Sequence, residues 1–344
     1  MTAPTLAFFT RLLDDAPPAE RYRLATEQIQ HAERFGVGRV WVAQHHFRAA
    51  EGGLPSPFVF LTHAGAHTST IRLATGIITL PLEDAVKVAE DSAVADLLTG
   101  GRIDLGMGSG GTPSSFLPFG QDPANKAAVF DDKLALLRGA YRGNELPGAN
   151  HLYPAAPHLD ERIWQATFSA FGGARAGAAG DGLLLSRTQP RPVDAPTASL
   201  ADIQVPIIEQ YRGALPDDTA PRITASRTVF VADSREEALR FAEIGLTRAV
   251  AGFRRQGQAI VGDTLEDYIR GTDTHIGTPE QVAESLAADA TLAHATEIAF
   301  QVHSVDAPHE HILRSIELFA TEVAPQLGWA RTEPALAGAG QEIS

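Results

Sequence analysis

Strand-like runs and helix-like periods alternate along almost the whole chain, and few architectures accommodate that order. Thr5–Leu13 is short, apolar and β-like; Glu20–Phe35 follows with apolar residues at helical spacing and Gly36 as its C-cap. Arg39–Ala43 reads as a second strand and Ser56–Thr68 as a helix opened by Pro57. Ile71–Leu80, IRLATGIITL, is a β-branched run suited to a strand buried on both faces. Leu82–Leu98 is helical and ends at Gly100-Gly101; strand Arg102–Gly108 and helix Ala124–Tyr141 come next. Arg162–Thr167 is strand five, Gly172–Ala179 a short Gly/Ala-rich helix and Gly182–Ser186 strand six. Ile223–Ala232 is strand seven, with Ser234 capping the helix from Arg235 and Glu237 at the capping-box position. Ile298–Val302 is strand eight, followed by helix Pro308–Val323. Eight strands interleaved with helices predict a parallel sheet with right-handed crossovers. The α/β fold that fits best is a (β/α)8 TIM barrel with extended loops at the C-terminal face of the strands; a doubly wound open sheet is the alternative.

Two segments interrupt the alternation. Thr188–Ser199, TQPRPVDAPTAS, is too rich in proline for a helix or central strand. Phe253–Ile276 is polar and glycine-spaced and reads as a long loop of the kind that forms lids. No domain boundary is apparent, so residues 1–330 are expected to form one barrel domain and 331–344 a flexible tail. At 344 residues and 44% apolar content the chain can bury a large core. Its net charge of -14 argues against nucleic acid and anionic lipid as partners. Cysteine is absent, which excludes disulfides, thiolate metal sites and a catalytic thiol. The N-terminal residues lack the pattern of a signal peptide, and no apolar run reaches membrane-spanning length, so a cytoplasmic location is expected.

The chemistry concentrates in a few places. Trp41–Phe47, WVAQHHF, puts Gln44, His45 and His46 at the end of a buried strand, where barrel enzymes carry their active sites. Histidine there exchanges protons near neutral pH; the plainer reading is a capping histidine bonded to backbone. Two glycine clusters follow strands: Leu105–Ser115, with Gly108, Ser109 and Gly110, and Ser169-Ala170-Phe171-Gly172-Gly173. Such turns let backbone N–H groups and a helix N-terminus approach a phosphate. The first cluster resembles GxGxxG but follows strand four rather than strand one, which rejects a dinucleotide-binding reading, and no GxxxxGK[ST] is present. His303, His309 and His311, and His31, His63 and His67, lack metal-ligand spacing, so no metal is expected. Glu90, Asp91 and Asp96, with Arg102 close behind, read as structural ion pairs.

Several blocks together resemble the bacterial luciferase-like flavin monooxygenases: WVAQHHF, IRLATGIITLPLEDAVKVAEDSAVADLLTGGRIDLGMGSG, WQATFSAFGGARAGAAGDGLLLSR, THIGTPEQVAESL and LRSIELFATEVAP. The resemblance runs in order over roughly residues 5–325. It implies a (β/α)8 barrel that takes up reduced FMN, or a deazaflavin coenzyme, as a diffusible cosubstrate at the strand ends. It implies that His45 acts near flavin and substrate, and that the Gly76–Ile77 bond is a non-proline cis peptide beneath the isoalloxazine ring. Ser109 stands where luciferases carry a phosphate-contacting Arg, and Ser169 and Gly173 match a Ser and a Thr that bind the phosphate. The missing Arg and Thr leave a site dominated by backbone, with Lys126 and Arg175 as compensating cations. Gln44 replaces a common Glu.

That resemblance implies an FMN-dependent monooxygenase that uses O2 on a small organic substrate, with reduced FMN supplied by a separate flavin reductase, and that works as a homodimer. His45 serves as general base or hydrogen-bond partner, and the Phe253–Ile276 loop closes the site. Arg187, at the end of strand six, either meets a polar substrate or flavin edge or stands as a solvated rim residue. The alternatives are hydride transfer with a deazaflavin coenzyme without oxygen, and a flavin-binding protein without turnover.

Overall fold

The computed structural model describes residues 3–255 and 257–332. Strands β1 (Thr5–Thr10), β2 (Arg39–Val42), β3 (Arg72–Thr79), β4 (Ile103–Gly108), β5 (Ile163–Ala166), β6 (Gly182–Leu185) and β7 (Ile223–Val231) pair in parallel, each with the next in sequence. The ring closes through β9 (Glu297–Gln301), which pairs with β7 on one edge and β1 on the other. The open sheet is thereby excluded, and the architecture is a closed eight-stranded parallel barrel surrounded by helices. A ninth strand, β8 (Thr274–Gly277), pairs with the C-terminal half of β7 from Thr228 to Val231.

The outer layer contains α1 (Pro18–Arg34), α2 (Pro57–Ala66), α3 (Ala85–Leu98), α4 (Lys126–Tyr141), α5 (Ala170–Ala178), α6 (Leu200–Ala214), α7 (Arg235–Arg255), α8 (Leu265–Gly271), α9 (Pro279–Ala287) and α10 (His309–Leu318). Two features differ from the sequence reading. Strand one ends at Thr10 because Leu12 turns the chain with φ of 54°. The stretch 253–276 is not one long loop: α7 runs into it, α8 is set by a Thr264–Asp267 capping box, and β8 ends it. The proline-rich 188–199 segment is irregular, but Ser199 immediately caps α6, which tolerates an internal Pro206. Asp96 does form structural pairs, with Arg162 and His158. Arg102 bonds instead to Thr68 and to the carbonyls of Gly65, Thr68, Ile71 and Thr99. Arg331 and Thr332, first residues of the expected tail, lie against Gly36, and Thr332 N donates to Gly36 O at 2.9 Å. Residues 333–344 fall outside the described residues. Among the described residues no helix is long and apolar enough to cross a membrane.

The barrel interior is filled by two indoles and small neighbours. Trp41 and Trp164 meet edge to face at 5.4 Å between ring centroids, surrounded by Ala7, Ala74 and Ala299. Large side chains against small ones fill a tapering barrel without voids. Gly182 belongs to this arrangement, since a side chain there would collide with the Trp164 ring. Beside the indoles lies a buried charge cluster. Glu297 Oε1 accepts from Trp41 Nε1 at 2.8 Å and Thr224 Oγ1 at 2.9 Å, and its other oxygen pairs with Arg39. Arg39 also reaches Asp104 at 2.9 Å, and Arg72 reaches the same carboxylate at 2.6 Å. Burial alone would raise the Asp104 carboxyl, but Arg39 and Arg72 hold it below its ordinary range.

This cluster ties β2, β3, β4, β7 and β9 together. Removing one member strands the others in a poorly solvated interior. Glu297→Ala is expected to destabilise the fold by about 3–5 kcal/mol in chemical denaturation. A loss below about 1 kcal/mol, the range of exposed pairs, would show that the cluster does not hold the barrel.

Candidate active site

A cavity of about 350 Å³ opens at the C-terminal ends of the strands, within the range of small-molecule sites. Its floor is apolar and aromatic: Phe9 on β1, Trp41 on β2, Ile77 on β3 and Leu184 on β6. The Gly76–Ile77 peptide is cis, and both residues line the cavity. Gly108 is buried behind Ile77, where a β-carbon would lie 2.9 Å from the Ile77 side chain. Its smallness therefore seats Ile77.

β2 delivers the polar wall. His45 and His46 both line the cavity. The His45 N–H donates to Leu54 O at 2.9 Å, which folds the 45–54 loop back on itself. Gly52 then lies flat against the imidazole, since a β-carbon there would be 2.7 Å from His45 Cδ2. Burial, helped by the positive charges of Arg11 and His46, pushes the His45 imidazole down to about 3. His45 is therefore neutral at physiological pH, and its ring makes no hydrogen bond among the described residues. The capping reading does not fit a ring without a backbone partner. A neutral imidazole here can accept a proton or hydrogen bond, and an anion brought close would raise its proton affinity.

Gln44 lines the cavity but has its amide committed. Its oxygen accepts from Thr79 N at 2.7 Å, while its nitrogen donates to Glu83 Oε1 at 2.6 Å and Pro55 O at 3.2 Å. With a carboxylate opposite, position 44 needs a donor, which accounts for Gln in place of Glu. Its role in the structure is to hold the β2 and β3 ends together.

The two glycine turns leave adjacent strands, β4 and β5, at one edge of the cavity. Gly110 and Gly111 line it, and their N–H groups make no bond among the described residues. Ser109 does not line it. Lys126 Nζ donates to Gly110 O at 2.8 Å, steadying the turn. At α5, Ser169 Oγ accepts from Gly172 N at 3.1 Å as the N-cap, leaving the Ala170 and Phe171 N–H groups free at an exposed helix start. Gly172 and Gly173 are buried. A β-carbon on Gly173 would sit 2.6 Å from Ile207 O on α6, so its role here is helix packing, and a Thr would not fit. Arg175 points away: it bonds Gln165 at 2.8 Å and Asp131 at 2.9 Å over the Phe130 ring. It does not act as a compensating cation at the cavity.

Arg187 is no solvated rim residue. It is 5% exposed and lines the cavity. Sequence reasoning missed Arg11 and Glu51, which line the same space. The available signal was a charged residue directly after the apolar run FFT, at the carboxyl end of a barrel strand. Phe253 and Gln258 also reach the cavity, so the segment read as a lid contributes to its wall.

A histidine-bearing cavity at the mouth of a (β/α)8 barrel is the site of a barrel enzyme. The chain belongs to the luciferase-like monooxygenase family, whose model matches residues 5–296, and it is thus an oxidoreductase. It is 29% identical over 324 residues to a 4-hydroxyprotoasukamycin monooxygenase of Streptomyces nodosus subsp. asukaensis, covering 87% of this chain and 85% of that one. Its fold is similar to the oxygenating constituent of 3,6-diketocamphane monooxygenase of Pseudomonas putida, solved in complex with FMN. That match has a TM-score of 0.75 and 19% identity over 94% of this chain and 98% of that one. A coenzyme F420 dependent tetrahydromethanopterin reductase from Methanopyrus kandleri matches with a TM-score of 0.66 and 16% identity, over 94% and 99% of the two chains.

The Gln44 geometry gives a test. Gln44→Glu puts two carboxylates in contact, and the variant is expected to lose about 1–3 kcal/mol of stability at neutral pH. The pair can retain a proton only at low pH, so the deficit should be small near pH 4 and grow as pH rises through the raised carboxyl pKa. Adding Glu83→Gln should restore most of the loss. An equal deficit at all pH values, or no rescue, would contradict the arrangement.

Proposed function

We propose that this protein is an FMN-dependent monooxygenase that uses reduced FMN and O2 to oxidise a small organic substrate. The observation that carries the reading is a neutral, hydrogen-bond-free His45 above an aromatic floor, in a cavity edged by free backbone N–H groups. When bound, reduced FMN supplies two electrons, so that one oxygen atom enters the substrate and the other leaves as water.

The residues present fit that cofactor. Trp41, Ile77 and Leu184 offer a flat apolar surface, and the free N–H groups of Gly110 and Gly111 in the cavity wall suit a phosphate, with those of Ala170 and Phe171 outside that wall at the start of α5. Among the described residues no side-chain cation is free at that edge: Lys126 is bonded to Gly110 O and Arg175 to Asp131. Binding by backbone alone matches a flavin taken up and released each cycle, delivered by a separate reductase. The Pseudomonas relative is itself described as one constituent of its monooxygenase, which supports such a partner. His45 holds or accepts a proton at its imidazole nitrogen beside the reacting atoms. Phe253 and Gln258 help exclude water, which strengthens every polar interaction inside.

A second reading, oxygen-independent hydride transfer with a deazaflavin coenzyme, is favoured by the likeness to the F420 dependent reductase. One experiment separates the two. The protein is mixed anaerobically with reduced FMN, then rapidly with oxygen, and the absorbance is followed. The monooxygenase reading expects a long-lived spectral species absent with free FMN. Reoxidation indistinguishable from free FMN, together with oxidation of an alcohol by F420, would overturn it in favour of the second. On a substrate found by screening under these conditions, His45→Ala should keep FMN affinity within a few-fold and lose about 10²–10⁴ in turnover. Unchanged turnover would remove His45 from the chemistry.

A further inference from the structure

Two cations remain in the cavity that neither packing nor the flavin reading uses. Arg11 leaves the end of β1 and Arg187 the end of β6, and both line the cavity. Neither has a carboxylate within ion-pair distance among the described residues, although arginines pair with carboxylates in many other places. Arg187 is held by hydroxyls alone, Thr228 Oγ1 at 2.8 Å and Ser304 Oγ at 3.5 Å. Arg11 donates to the backbone oxygen of Glu51, and its Nε is buried without a partner. Each guanidinium carries five N–H donors, so most of this capacity is unspent.

Buried guanidinium groups without counter-ions are costly, and structural arginines in this protein avoid that cost. Arg39 sits between Glu297 and Asp104, Arg138 between Asp160 and Asp181, and Arg227 against Asp289. Arg102 and Arg222 also lack a carboxylate but spend their donors on backbone carbonyls; Arg11 and Arg187 stand apart as carboxylate-free arginines that line the cavity. Burial pushes Arg187 down to about 9, with the positive charge of Arg11 adding to the effect, and burial pushes Arg11 down to about 10 against the opposing charge of Glu51. Both stay protonated at neutral pH. The one carboxylate lining the cavity, Glu51, has its oxygens on Arg48 at 3.1 Å and Thr112 at 3.4 Å. A protein of net charge -14 thus keeps two unneutralised cations in its cavity.

Their placement separates them from the backbone phosphate edge. The free N–H groups leave β4 and β5, whereas Arg187 reaches across to Thr228 on β7 and Ser304 after β9, and Arg11 comes from β1. We propose that Arg11 and Arg187 form an anion subsite and that the substrate is a small organic acid, its carboxylate held by the two guanidinium groups and its apolar part against the aromatic floor. Two planar forks suit bidentate recognition of a carboxylate. The carboxylate also restores the missing counter-charge and lies on the His45 side of the cavity, where Arg11 already acts on the imidazole. This assignment rests on the monooxygenase reading for the word substrate, but its test does not depend on turnover.

The probes are benzoate and hexanoate against their neutral amides, titrated into the oxidised, flavin-free protein while following the fluorescence of Trp41 on the cavity floor. Each acid should bind at least tenfold more tightly than its amide. Arg187→Gln and Arg11→Gln should each erase that preference, and Arg187→Lys should retain part of it, which covers the case that the Gln variant fails to fold. The competing source of an anion is the FMN phosphate. FMN and riboflavin are therefore titrated in parallel, and the FMN preference should survive in all three variants. Equal binding of acids and amides would overturn the proposal. Loss of the FMN preference with unchanged acid binding would overturn it too, assigning the pair to the phosphate. Normal acid binding with reoxidation of reduced FMN indistinguishable from that of the free flavin would sink the monooxygenase reading and leave the anion subsite standing.

Discussion

Glu297 is the point on which the rest of the molecule turns. It is a carboxylate inside a barrel, and it survives there because Trp41, Thr224 and Arg39 all direct donors at it. Burying a charge is tolerable only when such partners are in place. The consequence reaches beyond stability. Trp41 is held by its Nε1–H, so the face of its ring turned to the cavity becomes a fixed floor. Three residues further along β2 the chain emerges as Gln44 and His45, already aimed by the strand that Trp41 anchors. Gln44 then locks to Thr79 and Glu83, fixing the β2 end to the β3 end, where the Gly76–Ile77 bond lies. The interior cluster and the candidate site are in this sense one construction, built upward from the closed end.

The electrostatics divide by location. The chain as a whole is acidic, and interior arginines such as Arg39, Arg138 and Arg227 are neutralised by carboxylates. The cavity differs, with two cations left without a carboxylate and an imidazole kept neutral by burial and by the charge of Arg11. This pattern favours an anion in the cavity and gives that anion a chemical effect, because its arrival lifts the proton affinity of His45. Substrate binding and readiness of the proton acceptor are thereby linked through ordinary Coulomb interactions.

Much of the barrel was legible because parallel strands buried on both faces leave continuous apolar runs such as IRLATGIITL, and the helices between them carry clear caps. What escaped notice had weaker local signals. β8 is four residues long, and α8 is a seven-residue helix inside a polar, glycine-spaced stretch, recognisable only through the Thr264–Asp267 box. At the site, His45 and Arg187 were readable as side chains at strand ends, whereas Arg11 was hidden by extending the first strand through it. The glycines of the α5 turn were the hardest. A glycine that faces a ligand and one that faces a helix leave the same letter, and Gly173 proves to face Ile207 on α6. Arg175 was similarly ambiguous, since only the fold shows that Asp131 and Gln165 occupy its guanidinium.

The proposed cavity divides its labour: backbone N–H groups on the β4–β5 side for the flavin phosphate, guanidinium groups on the β6–β1 side for the substrate anion. A crystal structure of the protein with FMN tests it most directly. The account expects the isoalloxazine ring over Trp41 and Ile77, and the phosphate among the N–H groups of Gly110, Gly111, Ala170 and Phe171, with Arg11 and Arg187 left free. A phosphate gripped by Arg11 and Arg187, or a ring placed away from the aromatic floor, would contradict it.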